Sequence, residues 1–250
     1  MLALRPEEAT SLGLPGHETE YGDYSPTGAA ALDELNRRLL EDLDRLEPTD
    51  DVDRVTKAAM QERIGLEREL HATGRTELNN IASPAQGIRA IFDLMPTDTT
   101  EHWEHIAGRL ENLPAALSGY TQSLLASREA GHVAAARQVD IVIDQARAHV
   151  AVGGFFPSLL DRARTADAVP QALHSRIERG VATAAAAYSE FAEALETGLR
   201  PHAPAEDAVG REHYALASRQ FLGARIDLEE TYAWGQDCLL YTSPSPRDRG

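Results

Sequence analysis

Apolar side chains recur at steps of three and four residues along most of this sequence, which is the spacing of an amphipathic α-helix. The longest such stripe holds eight residues between Leu173 and Leu199. An earlier stripe consists of Leu32, Leu35, Leu39, Leu43 and Leu46. No segment of four to eight residues alternates apolar and polar side chains between turn signals, so we expect no β-strand. The spacing predicts an all-α fold, an array of about nine amphipathic helices.

Proline residues mark where several of these helices begin or end. Pro26 opens the first long helix and Pro48 ends it, whereas Pro201 ends the longest one. Pro114 instead lies inside an apolar stripe that runs from Trp103 to Leu117. Because proline lacks a backbone donor and clashes with the preceding turn, we expect that helix to break or kink at Pro114.

Three regions differ in composition. Residues 1–26 are rich in glycine and proline and are predicted to be mostly loop. Residues 27–237 carry the apolar stripes and are predicted to form a helical domain, which we expect to be incomplete. Residues 238–250 form a tail of a different character.

That tail contains the string CLLYTSPSPRD at residues 238–248. The string is identical to the conceptual translation of a transposon-based sequencing adapter, so we expect the biological sequence to stop near Asp237. Pro244 and Pro246 oppose a helix, and the tail is expected to be extended and disordered. The alternative is a natural Ser/Pro linker. The only cysteine, Cys238, belongs to this tail, so no internal disulfide is possible.

The charge balance argues against two classes of partner. Asp and Glu total 40 against 24 Lys and Arg, which gives a net charge of -16 at pH 7. Such a surface repels nucleic-acid phosphates and anionic membranes, so neither is expected as a partner. No run of 18 apolar residues predicts a membrane span. Residues 1–20 lack the apolar stretch of a signal peptide, which favours a cytoplasmic location unless a signal lies upstream of Met1.

The histidines offer one arrangement that resembles a metal site. His102 and His105 lie three residues apart on a predicted helix, beside Glu101 and Glu104. A zincin helix needs two histidines four apart with glutamate directly after the first, and the sequence HWEH has neither feature. We interpret the segment as a helix start whose acidic residues suit the helix dipole.

A second arrangement, His17-Glu18, begins like a zinc motif. Tyr21 stands where the second histidine would be, and the segment is predicted to be loop. The sequence also lacks a Gly-rich phosphate loop and a G-x-S-x-G motif. We therefore predict no catalytic, cofactor-binding or metal-binding residue in this chain.

Several segments, taken in order, carry a family resemblance. They are the opening Pro6 to Gly13 followed by Asp23 and Ser25-Pro26, then Met95-Pro96 with Thr99, RLENLP at 109–114, VGRE at 209–212 with Tyr214, and Gly223 with residues 226–230 and 232–235. Together they resemble the bacterial domain of unknown function 885, and the resemblance covers nearly all of residues 5–237.

The resemblance implies a larger protein. Members of that family are about twice this length, all-helical, and similar to gluzincin-type zinc metallopeptidases. Their zinc motif, His-Glu-x-x-Pro-Gly-His, lies in a second half that is missing here. The resemblance implies zinc and a peptide substrate for the full-length parent, with metal-activated water as nucleophile and the motif glutamate as general base. This chain would be an N-terminal fragment, inactive alone, whose partner is that C-terminal half.

Two other hypotheses remain open at this point. One is a self-contained helical binding or scaffold module without catalysis, since the amphipathic helices form a complete set. The other is a metal protein that uses His102 and His105.

Overall fold

The helices follow the predicted stripes closely. The structure is a computed structural model that describes residues 2–242, with side chains through Leu239. Within that range every regular element is helical and no strand occurs, which confirms the all-α prediction. The α-helices are α1 (Glu7–Leu12), α2 (Pro26–Arg45), α3 (Asp51–Ala72), α4 (Pro84–Ala90), α5 (Thr100–Glu129), α6 (Ala136–Val150), α7 (Phe155–Thr165), α8 (Gln171–Ala194), α9 (Arg211–Leu222) and α10 (Leu228–Thr242). Short 3-10 turns follow α4 (Ile91–Leu94) and precede the loop to α9 (Arg200–His202), and a π turn (Leu195–Leu199) extends α8.

The chain divides into two compact units. Unit 1 comprises Met1–Arg38 and His71–Ala208, and unit 2 comprises Leu39–Leu70 and Val209–Gly250. Both α2 and α3 therefore begin in one unit and end in the other. No helix in the described part of the chain is both long enough and apolar enough to cross a bilayer.

The core of unit 1 is built on α5 and α8. All eight residues of the predicted stripe from Leu173 to Leu199 are buried. The two helices approach closely at Gly180, where an added Cβ would lie 2.9 Å from the Cβ of Leu110.

The helix does not break at Pro114, since α5 runs without interruption from Thr100 to Glu129, and the kink expected as the alternative stays a prediction. The helix carries fourteen buried residues, on both sides of the proline. Each buried aliphatic side chain contributes about 1.5–3 kcal/mol, so this packing outweighs the roughly 3 kcal/mol cost of an interior proline.

The N-terminal segment is mostly loop but contains one short helix, and part of the expected C-terminal tail is helical. Residues 7–12, within the segment expected to be mostly loop, form α1, which ends at Gly13 in the left-handed conformation (φ 68°) and buries Ala9. At the other end, α10 continues through residues 238–242, which were expected to be extended. Residues 243–250, the rest of the expected tail, lie outside the described residues.

Unit 2 has little core of its own. Its buried apolar side chains, among those the structure describes, are Leu43, Ile64 and Leu66. Polar contacts join its helices instead: Lys57 Nζ donates to the Leu46 carbonyl at 2.7 Å across the turn between α2 and α3. Arg219, which is buried, connects α9 to α3.

Candidate functional site

A cleft of about 420 Å³ opens in unit 1 between the N-terminal segment and α5. Acidic, aromatic and hydroxyl side chains line it together with the first turn of α2. The polar and aromatic lining residues are Arg5, Glu7, Glu8, Asp23, Tyr24, Ser25, Thr76, Glu77, Tyr120 and Ser123. We call it the acidic cleft.

One wall of the acidic cleft is fixed by Glu7, in the first turn of α1. Its carboxylate accepts a hydrogen bond from the Gly22 backbone N–H at 2.9 Å and a short one from the Tyr24 hydroxyl. Gly22 is needed here because an added Cβ would lie 2.7 Å from the Leu4 carbonyl oxygen. Burial, and then the neighbouring Glu7 charge, raises the pKa of Tyr24 well above its usual value, so this phenol stays protonated.

The opposite wall comes from α5. The rings of Tyr120 and Tyr24 meet edge to face with centroids 6.5 Å apart. Ser123 Oγ donates to the Tyr24 carbonyl at 2.7 Å, and Thr76 Oγ1 donates to the Ser123 carbonyl at 3.0 Å. These bonds hold the loop before α2 against α5, and they therefore determine the shape of the cleft.

The charges of the cleft favour a cationic or hydrogen-bond-donating guest. Glu7, Glu8, Asp23 and Glu77 contribute four carboxylates, and Arg5 contributes the one guanidinium, which lies 3.3 Å from Glu8. A carboxylate-rich wall of this kind attracts positive groups. The arrangement of carboxylates and hydroxyl groups is therefore suited to binding such a guest.

Beside the cleft, a buried guanidinium ties the N-terminal segment to α5. Arg109 is fully buried, and its Nη2 donates to Thr10 Oγ1 and to the His17 carbonyl, each at 2.9 Å. The Tyr21 ring lies 5.6 Å from the guanidinium carbon. Burial lowers the pKa of Arg109, although Tyr21, Glu7 and Glu18 act in the opposite direction. Its Nε and Nη1 have no hydrogen-bond partner within the described residues.

The HWEH segment lies in the first turns of α5, and His17-Glu18 lies in the loop between α1 and α2. Thr99 caps α5 by accepting from the His102 backbone N–H at 3.2 Å, so the HWEH segment does form the start of a helix. Glu18 accepts from the Gly16 N–H at 2.8 Å, and this bond, more than His105 or Arg109, lowers the pKa of Glu18. His17 Nδ1 lies 3.0 Å from Glu20 Oε2. The side chains of His17 and Glu18 are thus engaged in local contacts, whereas His102 Nδ1 is buried without a hydrogen-bond partner within the described residues.

A known protein family matches nearly the whole chain. Residues 6–242 match the family described as a bacterial protein of unknown function, DUF885. The chain belongs to the DUF885 family. No curated protein matches it.

A solved structure shares the fold of this DUF885 chain. It is the crystal structure of a protein from Colwellia psychrerythraea, described provisionally as a lipoprotein. The two agree with a TM-score of 0.76 at 18% sequence identity, and the match covers 94% of this chain and 46% of the other. The DUF885 chain therefore spans about half the length of that relative. The lipoprotein description belongs to the relative, and the cytoplasmic location expected here stays a prediction.

Among residues 2–242, no group of three His, Cys, Asp or Glu side chains is placed to hold a metal ion. His102 and His105 therefore have no third ligand of these types within that range. The zinc that the resemblance implies belongs to a second half of the protein, and its presence there stays a prediction.

Sequence reasoning missed the role of Arg109, although a signal was present. Ile106, Arg109 and Leu113 step by three and four, so the arginine lies on the apolar stripe of α5. A charged residue on a core-facing stripe must find polar partners when buried. Its partners here lie more than 90 residues earlier in the chain, where spacing gives no information.

Proposed function

We propose that this chain forms the helical N-terminal half of a longer zinc-metallopeptidase-like hydrolase and is inactive alone. The observation that carries the proposal is that a DUF885 chain matching over residues 6–242 spans only 46% of a relative with the same fold. The peptidase chemistry itself rests on the family resemblance. The proposed partner is the C-terminal half of the same protein, and the proposed substrate is a peptide.

In this proposal the chain supplies a wall of the substrate cleft and no metal ligand. Unit 1 is suited to that role because it has one continuous apolar core, whose buried residues lie between Leu78 and Leu199 in the sequence. Such a wall can hold a substrate in place without moving. The acidic cleft would then meet positively charged parts of a peptide.

The adapter origin of residues 238–248 belongs to the same proposal. Sequencing the genomic locus across the codon for Asp237 tests it. We expect an open frame that diverges from CLLYTSPSPRD and encodes a His-Glu-x-x-Pro-Gly-His string downstream. A read-through frame without that string would refute the peptidase proposal, and a genomic CLLYTSPSPRD would refute the adapter origin.

The activity is tested with the gene read through in this way. We expect the longer protein to cleave a library of unstructured peptides and to lose this activity on treatment with a zinc chelator. Zinc should restore it. The 250-residue chain, assayed in parallel, should cleave none of the peptides.

The alternative function, a helical binding module, is favoured by one observation: unit 1 has a complete core and a cleft of its own. A binding module predicts a monodisperse chain in which both units melt in a single transition. The fragment proposal predicts that unit 2 melts separately or promotes aggregation, because its apolar side chains lack cover. Calorimetric melting combined with light scattering separates the two.

A further inference from the structure

The last two described helices carry large apolar side chains on their outer faces. We call the surface formed by Tyr214, Phe221, Leu222, Ile226, Tyr232 and Trp234 the α9–α10 surface. Phe221 is 88% exposed, and Tyr232 and Trp234 are each 67% exposed. Single exposed apolar residues are ordinary, but a concentration of aromatic residues within about twenty residues of sequence is typical of an interface.

Helix α9 is attached to α3 through one buried arginine, while its aromatic side chains stay exposed. Arg219 is buried and binds α3: Nε lies 2.5 Å from Glu62 Oε1, and Nη1 lies 2.9 Å from Glu69 Oε1. Phe221 and Tyr214 are seven residues apart and share a face of the helix. At 3.6 residues per turn Phe221 lies about 160° and Tyr214 about 140° around the helix from Arg219. So the side of α9 that carries Arg219 contacts α3, and the side that carries Tyr214 and Phe221 is exposed.

Helix α10 has little packing to stabilise it. Every residue from Glu229 to Asp237 is exposed. Isolated helices shorter than about 12–15 residues are marginal in water, and most helical stability in proteins comes from packing. Unit 2 offers little such packing, because its described buried apolar residues are Leu43, Ile64 and Leu66. The α9–α10 surface is therefore suited to be covered by a further polypeptide segment.

The length of the solved relative indicates which polypeptide segment covers this surface. The match includes 94% of this chain, and more than half of the relative's chain lies outside it. A polypeptide joined to the matched half is present at high effective concentration, which favours it over a separate molecule as the occupant.

We propose that the α9–α10 surface is the docking surface for the second half of the DUF885 polypeptide, which would cover it with apolar helix faces. This inference rests on the proposed function for the existence of that half. It goes further by assigning the residues of this chain that bind it.

Hydrogen exchange of the 250-residue chain tests the proposal, with and without the C-terminal half of a closely similar longer DUF885 protein added as a separate polypeptide. Alone, α9 and α10 should exchange rapidly while α5 and α8 stay protected. With the added half, exchange in α9 and α10 should slow at least about tenfold, and α5 should not change. Equal protection of α9 and α10 in the monomeric chain alone would overturn the proposal.

Matched variants localise the contact. The double variant Phe221→Asp, Tyr232→Asp should lose the added protection, whereas Val152→Asp, at a fully exposed position of unit 1, should keep it. Circular dichroism should give the same helix content in all three chains, since the replaced side chains are exposed. Equal loss in the Val152→Asp control would overturn the proposal. So would concentration-dependent protection of the chain alone, which would identify a second copy as the occupant.

The readout is independent of catalysis. Binding by a half that confers no zinc-dependent hydrolysis would refute the proposed function and leave the docking surface standing. Zinc-dependent hydrolysis by a longer protein whose added half leaves α9 and α10 unprotected would refute the docking surface alone.

Discussion

Arg109 combines two properties that rarely occur together, complete burial and incomplete hydrogen bonding. Desolvating a guanidinium is costly, and the bonds to Thr10 and to the His17 carbonyl recover part of that cost. What the residue provides is specificity, since it fixes where residues 10–17 lie on α5. The acidic cleft depends on that placement, because Glu7 belongs to the same N-terminal segment.

Arg109→Met should therefore loosen the N-terminal segment more than it lowers global stability. Removing the buried charge offsets the lost hydrogen bonds, so we expect a change in the free energy of unfolding of no more than about 2 kcal/mol. Limited proteolysis should cut residues 5–25 faster. Arg176→Met, which removes an exposed ion pair to Glu111, is the control and should leave that rate unchanged. A global loss of helix in Arg109→Met would contradict this account.

His149 predicts a pH dependence of stability. Burial, and then the positive charge of Arg89, lowers the pKa of His149, while Asp93 acts in the opposite direction. The ring also meets Tyr188 edge to face at 5.3 Å. Because the folded pKa lies below the unfolded value of about 6.5, the unfolded chain binds the proton first. The contribution of His149 is fully present above about pH 6.5 and is lost as the pH falls towards the folded pKa.

Urea unfolding at pH 7.5 and pH 5.5 measures this effect. The loss of stability between the two should be smaller in His149→Gln than in the unaltered chain, since the variant removes one contributor. An equal loss in both chains would show that His149 does not take up a proton on unfolding.

At the scale of the elements, the crossing of α5 and α8 is the most sensitive point. Gly180→Ala gains helix propensity but places a Cβ 2.9 Å from the Leu110 Cβ, a clash between two core positions. We expect the variant to lose about 1–3 kcal/mol of unfolding free energy. Gly87→Ala in α4, where an added Cβ meets nothing within 4 Å, should instead gain up to about 1 kcal/mol.

Chemical denaturation of the two variants compares these effects directly. Stabilisation by Gly180→Ala as large as that by Gly87→Ala would mean that the α5–α8 crossing can open without cost, contrary to the packing described.

The long helices were predictable from sequence because their apolar residues repeat at the helical period. The stripe from Leu173 to Leu199 is the clearest case. Helix α1 was missed, since six residues in a glycine- and proline-rich segment give too short a pattern. Pro114 was misleading because its local cost is opposed by tertiary packing that the sequence does not display. The acidic cleft was not predictable, because it joins residues 5–25 to residues 76–123.

At the scale of the whole molecule, the two units differ in what holds them together. Unit 1 has a continuous apolar core, whereas the described part of unit 2 contains the Arg219 ion pairs and three buried apolar residues. This difference is what a chain spanning half of its relative would show if unit 2 carried the junction with the remaining half. In the proposed protein, unit 1 therefore provides the apolar core, and unit 2 provides the contact with the second half.

We propose that the groups able to bind zinc lie in the second half of the polypeptide and not in this chain. In a calorimetric titration of the 250-residue protein with zinc, we expect no saturable uptake and no cleavage of peptides at the end, whereas the longer DUF885 protein should bind one zinc ion per chain. Saturable uptake of one zinc ion by this chain, accompanied by peptide cleavage, would refute the proposal.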